Sequence, residues 1–252
     1  MMLLVIPATA PAQTPEERGF AIAQEAAHRD TGYHDLTAEL TVVLRNRNGD
    51  ERTRVMRIRR LEVDGDGDKT ILIFDRPRDL QGTALLTVAH TAGSDDQWLY
   101  LPALRRVKRI ASNNQSKSFM GTEFTYEDIG SQEVEKYTYR YVRDDTLEAM
   151  ETFVVERYPV DPNSGYARQL VWYDKRAYRI QRIDFYGRNN ELLKTLSLSG
   201  YRLYAGKYWR PEETHMVNDQ TGKSTTIIWR DYRFGTGLSD RDFDRNTLEH
   251  VR

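Results

Sequence analysis

Residues 97–130 read QWLYLPALRRVKRIASNNQSKSFMGTEFTYEDIG, and the rest of the chain is organised around them. Trp98-Leu99-Tyr100-Leu101 is a strand-like run that Pro102 ends, because proline brings no N–H to a β-ladder. Arg105-Arg106-Val107-Lys108-Arg109-Ile110 reads as a basic strand, and Ser112-Asn113-Asn114-Gln115 as a polar turn. From Ser118 to Asp128 large apolar residues then alternate with small and acidic ones. The stretch holds no catalytic group of an ordinary kind. It offers aromatic and apolar surface beside cations, which suits binding better than a reaction centre.

Strand grammar continues on both sides. On the N-terminal side Leu36, Ala38, Leu40, Val42 and Leu44 recur with a period of two, and Asn48-Gly49-Asp50 makes a tight turn. Val55, Met56 and Ile58 lie on the return strand, followed by 71–74 and 82–88. On the C-terminal side 137–142, 149–158, 167–173, 178–186, 192–204, 208–217 and 224–234 all read as strands separated by turn residues. Helical periodicity is confined to the ends. Thr14-Pro15-Glu16-Glu17 caps a helix whose stripe is Phe20, Ala23, Ala26 and Ala27, stopped by Gly32. A last helix is expected from Ser239, with Phe243 and Leu248 as its apolar side.

The economical reading is a mainly β protein: one curved antiparallel sheet, closed or half-closed so that few edges are exposed, with a helix or two plugging its mouth. No low-complexity linker or internal repeat interrupts it, so residues 13–252 read as one domain. Residues 1–12 resemble the back half of a secretory signal peptide, an apolar run ending in Ala8, Ala10 and Ala12 without a basic leader.

Composition narrows the function. The 252 residues are 39% hydrophobic and 30% charged, enough apolar material for a core, and a net charge of −1 argues against a nucleic-acid partner. The absence of cysteine removes disulfides, thiolate metal sites, cysteine nucleophiles and a lipid-modified N-terminal cysteine. His28, His34, His90, His215 and His250 form no pair at metal-ligand spacing, so no metal or cofactor is expected. The acids at 64, 66 and 68 mimic a calcium loop, but Lys69 stands where its glycine belongs and Asp75 where its glutamate belongs, so a solvated turn is the better reading. Glu127 and Asp128 are read as balancing Arg105, Arg106, Lys108 and Arg109. Those four cations guard an edge strand or form a docking patch for acidic partners or anionic headgroups.

Three stretches carry a resemblance. Phe74-Asp75-Arg76-Pro77 with Gly82-Thr83-Ala84-Leu85-Leu86, then residues 97–110, then residues 118–128, are similar to motifs of the outer-membrane lipoprotein-sorting protein family, and a looser likeness runs from Phe20 to near the C-terminus. Its members resemble LolA, the periplasmic lipoprotein carrier. The resemblance implies a LolA-like half-open β-barrel with helices over an apolar concave side that holds acyl chains. It also implies a Gram-negative periplasm and work beside an inner-membrane transporter of the resistance-nodulation-division type, and it carries over no catalytic residue.

The function expected is therefore a non-enzymatic, monomeric carrier of lipid or lipoprotein acyl chains towards the outer membrane. The alternatives are a transporter-associated adaptor whose cavity is filled by its own side chains, and a hydrolase for which the motif evidence is dispersed. Expected cavity walls are Leu40, Val42, Met56, Ile58, Ile71, Ile73, Trp98, Tyr100, Phe119, Met120 and Phe124. Ile71 and Ile73 are chosen over Leu72 and Phe74 in a strand apolar on both sides.

Overall fold

A computed structural model describes residues 13–130 and 132–250. The expected signal-peptide remnant, residues 1–12, lies outside the described residues. The N-terminal helix α1 (Pro15–Asp30) starts where the sequence places it. Glu17 N–H donates to Thr14 Oγ1 at 3.1 Å, and Thr14 N–H donates to Glu17 Oε2 at 2.9 Å, closing a capping box with Pro15 in the first turn. Its buried stripe differs from expectation: Gly19, Ile22 and Ala23 face inward, whereas Phe20 is 44% exposed. Gly19 sets this rotation, since a Cβ there would lie 2.6 Å from the backbone nitrogen of Tyr141.

The strands are β1 (Asp35–Arg45), β2 (Glu51–Leu61), β3 (Lys69–Arg76), β4 (Ala84–Val88), β5 (Asp96–Leu101) and β6 (Arg106–Ile110). After the short helix α2 (Tyr126–Ile129) come β7 (Tyr137–Leu147), β8 (Met150–Pro159), β9 (Arg168–Asp174), β10 (Ile180–Tyr186), β11 (Leu192–Ser199), β12 (Arg202–Tyr204), β13 (Tyr208–Arg210), β14 (Glu213–Asn218) and β15 (Ser224–Phe234). Two expected strands are each divided. Gly200, at φ +65°, separates β11 from β12, and Pro211 follows the last residue of β13, so β12 and β13 leave the main sheet as a separate hairpin. The expected C-terminal helix is two 3₁₀ segments, Asp240–Phe243 and Arg245–His250.

Thirteen strands form one antiparallel sheet in the order β6-β5-β4-β3-β2-β1-β15-β14-β11-β10-β9-β8-β7. The two ends of the chain's strand series meet in its middle, where β1 pairs with β15 from Leu36 against Phe234 to Arg45 against Ser224. The sheet is strongly curled. β2 and β7 lie eight strand spacings apart in that order, roughly 38 Å in a flat sheet. Ile58 of β2 and Tyr139 of β7 nevertheless line the same hollow. The sheet does not close, and β6 and β7 remain its ends.

Register decides which side chains face the hollow. Leu40 stands opposite Met56 and Ala38 opposite Ile58, while Met56 faces Phe74 and Ile58 faces Leu72. Leu85 continues the row to Leu99. Opposed residues of an antiparallel pair point to one face, so Leu72, Phe74, Leu85 and Leu99 are on the concave side with Leu40 and Met56. Ile71, Ile73, Trp98 and Tyr100 were expected there and lie on the convex side instead. They pack with Ala84 and Leu86 under Phe243 and Leu248 of the 3₁₀ segments. β3 is covered on both faces, so its sequence holds no alternation that marks the inward side.

Candidate functional site

Two different things occupy the concave side. Over the N-terminal strands lies a plug formed by residues 118–129, the last third of the stretch 97–130. Phe119 sits 5.8 Å from the ring of Phe74 and 5.4 Å from that of Tyr126, and it joins Leu40, Val42, Met56, Leu85 and Leu99 in one core with Met120 against it. Phe124 belongs to the adjoining core with Tyr166, Phe185 and Met216. The backbone makes the plug possible: Met120 and Gly121 have φ +49° and +78°, turning the chain tightly so that Ser118 bridges Thr125.

Polar side chains from distant strands hold the plug down. Lys194 Nζ donates to Asp128 Oδ2 at 2.5 Å and to the carbonyl of Glu123 at 3.1 Å, with the lysine and aspartate side chains only 6% and 5% exposed. Tyr166 OH donates to Asp128 Oδ1 at 2.8 Å, and Gln97 Nε2 to the carbonyl of Tyr126 at 2.9 Å. Glu127 accepts from Ser164 Oγ and from Gly165 N–H. Burial pushes the Glu127 carboxyl up from its ordinary value, against the lowering effect of those hydrogen bonds. Glu127 and Asp128 therefore anchor the plug, and do not balance the basic run as expected. The sequence neighbourhood misled because their partners are contributed by β11 and by residues 164–166.

The rest of the concave side is open. A cavity of about 400 Å³ lies between α1 and the strands, within the size range that holds a drug-sized molecule. Ala23, Ala26 and Ala27 of α1 form its roof, and their small side chains leave the space. Leu36, Ile58, Tyr139, Tyr173, Ile180, Leu198, Trp229 and Tyr232 supply apolar wall, and Trp209, Arg210 and Pro211 close it from the β12–β13 hairpin side. Of the eleven expected wall residues only Ile58 lines this cavity. Leu40, Val42, Met56, Phe119, Met120 and Phe124 are covered by the protein's own packing.

Cations line the cavity too, and these the sequence reading missed. Arg29, Arg60, Arg157, Arg179 and Arg210 contribute, against Asp30 as the sole acid among the described lining residues. Arg179 pairs with Asp174 at 2.7 Å, Arg29 with Glu25 at 2.7 Å, and Arg210 with Asp30. Arg157, 2% exposed, donates to the amide oxygens of Gln169 and Gln132 at 2.7 and 2.6 Å. A signal existed: Met56, Ile58 and Arg60 share a face, as do Val155 and Arg157, so each cation sits at an inward position of an alternating strand.

The basic patch is elsewhere. Arg106, Lys108 and Arg109 are exposed on β6, the terminal strand, whereas Arg105 precedes it in the left-handed region at φ +46°. Arg109 Nη2 donates to Asp96 Oδ1 at 2.5 Å.

An open, curled antiparallel sheet with a helix over an apolar hollow defines a LolA-like fold, and comparison with solved structures agrees. A LolA superfamily protein from Nitrosomonas europaea shares the fold with a TM-score of 0.73 at 18% identity, over 93% of this chain and 99% of that one. A DUF1329 family protein from Desulfovibrio piger gives a TM-score of 0.88 at 28% identity, over 94% of this chain and 100% of that one. A domain described as outer membrane lipoprotein-sorting, from Vibrio parahaemolyticus, gives 0.91 at 50% identity, over 93% of this chain and 99% of that one. The chain belongs to the outer-membrane lipoprotein-sorting protein family. A family model described as an uncharacterized protein matches residues 66–250, and no curated protein matches the chain.

Proposed function

We propose that this protein is a periplasmic, non-enzymatic carrier that holds an acyl chain of a lipid or lipoprotein beneath α1 and moves it towards the outer membrane. The observation that carries the reading is the cavity itself, about 400 Å³ of largely apolar hollow inside a LolA-like sheet. The Vibrio relative's description as lipoprotein-sorting supports the direction of transport and the compartment. Hiding a chain there gains about 0.8 kcal/mol per buried methylene. The alanine roof is the part that must yield for loading and release.

A second reading keeps the transporter-associated adaptor. It is favoured by the self-filled N-terminal half of the concave side and by the exposed cations Arg106 and Lys108 on the terminal strand. Native mass spectrometry with lipid extraction, on protein purified from a Gram-negative periplasm, separates the two. A co-purifying phospholipid or lipoprotein acyl species is the expected result. Protein that stays empty after incubation with lipid vesicles and lipoprotein would shift the assignment to the adaptor.

A further inference from the structure

We propose that the cavity selects amphiphiles bearing one anionic group, a carboxylate or a phosphate, whose oxygens meet Arg210 while the chain lies along Leu36, Ile58, Ile180 and Trp229. This rests on the carrier reading above and names the chemistry of its cargo. Arg210 is 8% exposed and lines the cavity. Its Nη1 donates to Asp30 Oδ1 and to the carbonyl of Trp209, but its buried Nη2 has no hydrogen-bond partner among the described residues. A buried guanidinium N–H left unmet is costly, and an oxyanion is the partner its planar fork fits best.

The charge balance of the lining points the same way. Arg29 and Arg179 have carboxylates of their own, whereas among the described residues no carboxylate pairs with Arg60 or with the fully buried Arg157. Arg60 Nε donates to Thr70 Oγ1 at 3.3 Å, and Arg157 rests on two neutral amides. Buried cations are ordinarily matched by anions; the charges of Asp68 and Asp30 reach Arg60, so the lining lacks an anion chiefly at Arg157, held by neutral amides, and at the open Nη2 of Arg210. The aromatic rings facing Arg210, from Tyr33, Tyr208 and Phe234 at 5.4–5.9 Å, orient the guanidinium without neutralising it. The cavity thus joins an apolar trough to an excess of positive charge, the two halves of an anionic amphiphile.

The test compares ligands of one chain length and different head. Dodecanoate, dodecyl phosphate, dodecanol and dodecylamine are titrated calorimetrically into delipidated full-length protein, with inorganic phosphate as a separate arm. The two anions should bind about tenfold or more tighter than the alcohol, with the amine weaker still, and phosphate alone should bind far more weakly than dodecyl phosphate. Arg210→Met should erase the preference for anions while retaining dodecanol binding. Equal affinity for acid and alcohol overturns the proposal and leaves the carrier standing. Phosphate binding as well as dodecyl phosphate overturns it in favour of a free-anion site. Binding of none of the amphiphiles overturns the carrier reading and the proposal with it. A folded Arg210→Met that keeps the preference also overturns the assignment, and if that variant fails to fold, the head-group series on the unmodified protein still decides.

Discussion

His90 ties the turn at residues 64–68 to the start of β5. Its Nδ1 lies 3.1 Å from Asp66 Oδ2 and its Nε2 3.4 Å from Asp96 Oδ2, while Thr91 N–H donates to Asp66 Oδ1 at 3.0 Å. Partial burial opposes the imidazolium, but the hydrogen bonds and charges of the two aspartates prevail and raise His90 above its ordinary 6.5. Asp66 is lowered to about 2 by the N–H groups of Thr91 and Gly67 and by His90. The signs define a window. Asp66 stabilises the fold fully above its unfolded 3.8 and loses that contribution as pH falls through about 2. His90 stabilises it fully below 6.5 and loses its contribution as pH rises through the raised folded value. Asp66→Asn should move the His90 titration midpoint down towards 6.5, as followed by the imidazole C–H resonances in NMR. An unmoved midpoint would mean that Asp66 does not hold the imidazolium. The turn was legible from Asp64-Gly65-Asp66-Gly67-Asp68, but its docking was not. A Cβ at Gly67 would come within 2.7 Å of the backbone of Ala89, a closeness no local pattern announces.

Among the elements, α1 and the plug carry the site, and they differ in how far the sequence disclosed them. The cap, start and end of α1 were all readable, because capping is chemistry between near neighbours. Its inward face was not, because Gly19 rather than Phe20 makes the approach to Tyr141, and a glycine leaves no mark in an apolar stripe. The plug was recognisable as an unusual aromatic segment, yet its aromatics were assigned to a ligand when they serve as its own packing. That assignment fails for a physical reason: Phe119, Met120 and Phe124 meet a sheet face that would otherwise be bare, and a side chain held covalently nearby covers it permanently. Open space is left where α1 covers the sheet mainly with Ala23, Ala26 and Ala27. Ala26→Trp should therefore fill the cavity and abolish acyl-chain binding, with stability changed by no more than about 1 kcal/mol because the ring enters empty volume rather than packed core. Lipid retention read by native mass spectrometry beside urea denaturation checks both halves. Retained lipid in a folded Ala26→Trp would place the ligand away from α1.

At the scale of the molecule, a long antiparallel sheet that curls without closing keeps two terminal strands, and the chain treats them differently. Period-two alternation reveals the strands, and the family resemblance implies the half-open barrel; the pairing of β1 with β15 is beyond either, since contacts between residues 179 to 198 apart leave no local trace. β7 is overlaid by α1, with Arg18 placed 3.6 Å from the ring centre of Tyr141 and 3.6 Å from Asp144. β6 is short and carries exposed Arg106, Lys108 and Arg109 instead. Positive charge on an exposed terminal strand repels the same strand of a second molecule and keeps its unpaired backbone groups in water. The double substitution Arg106→Val and Lys108→Val removes that repulsion and adds β-branched surface at a ladder end, while Arg109 keeps its pair with Asp96. Such a variant should retain ligand binding in the distant cavity but associate as concentration rises, which light scattering coupled to size exclusion would read. If it elutes as the wild type does at every concentration, these cations are not guarding the edge, and their retention there would favour a docking role in the adaptor reading.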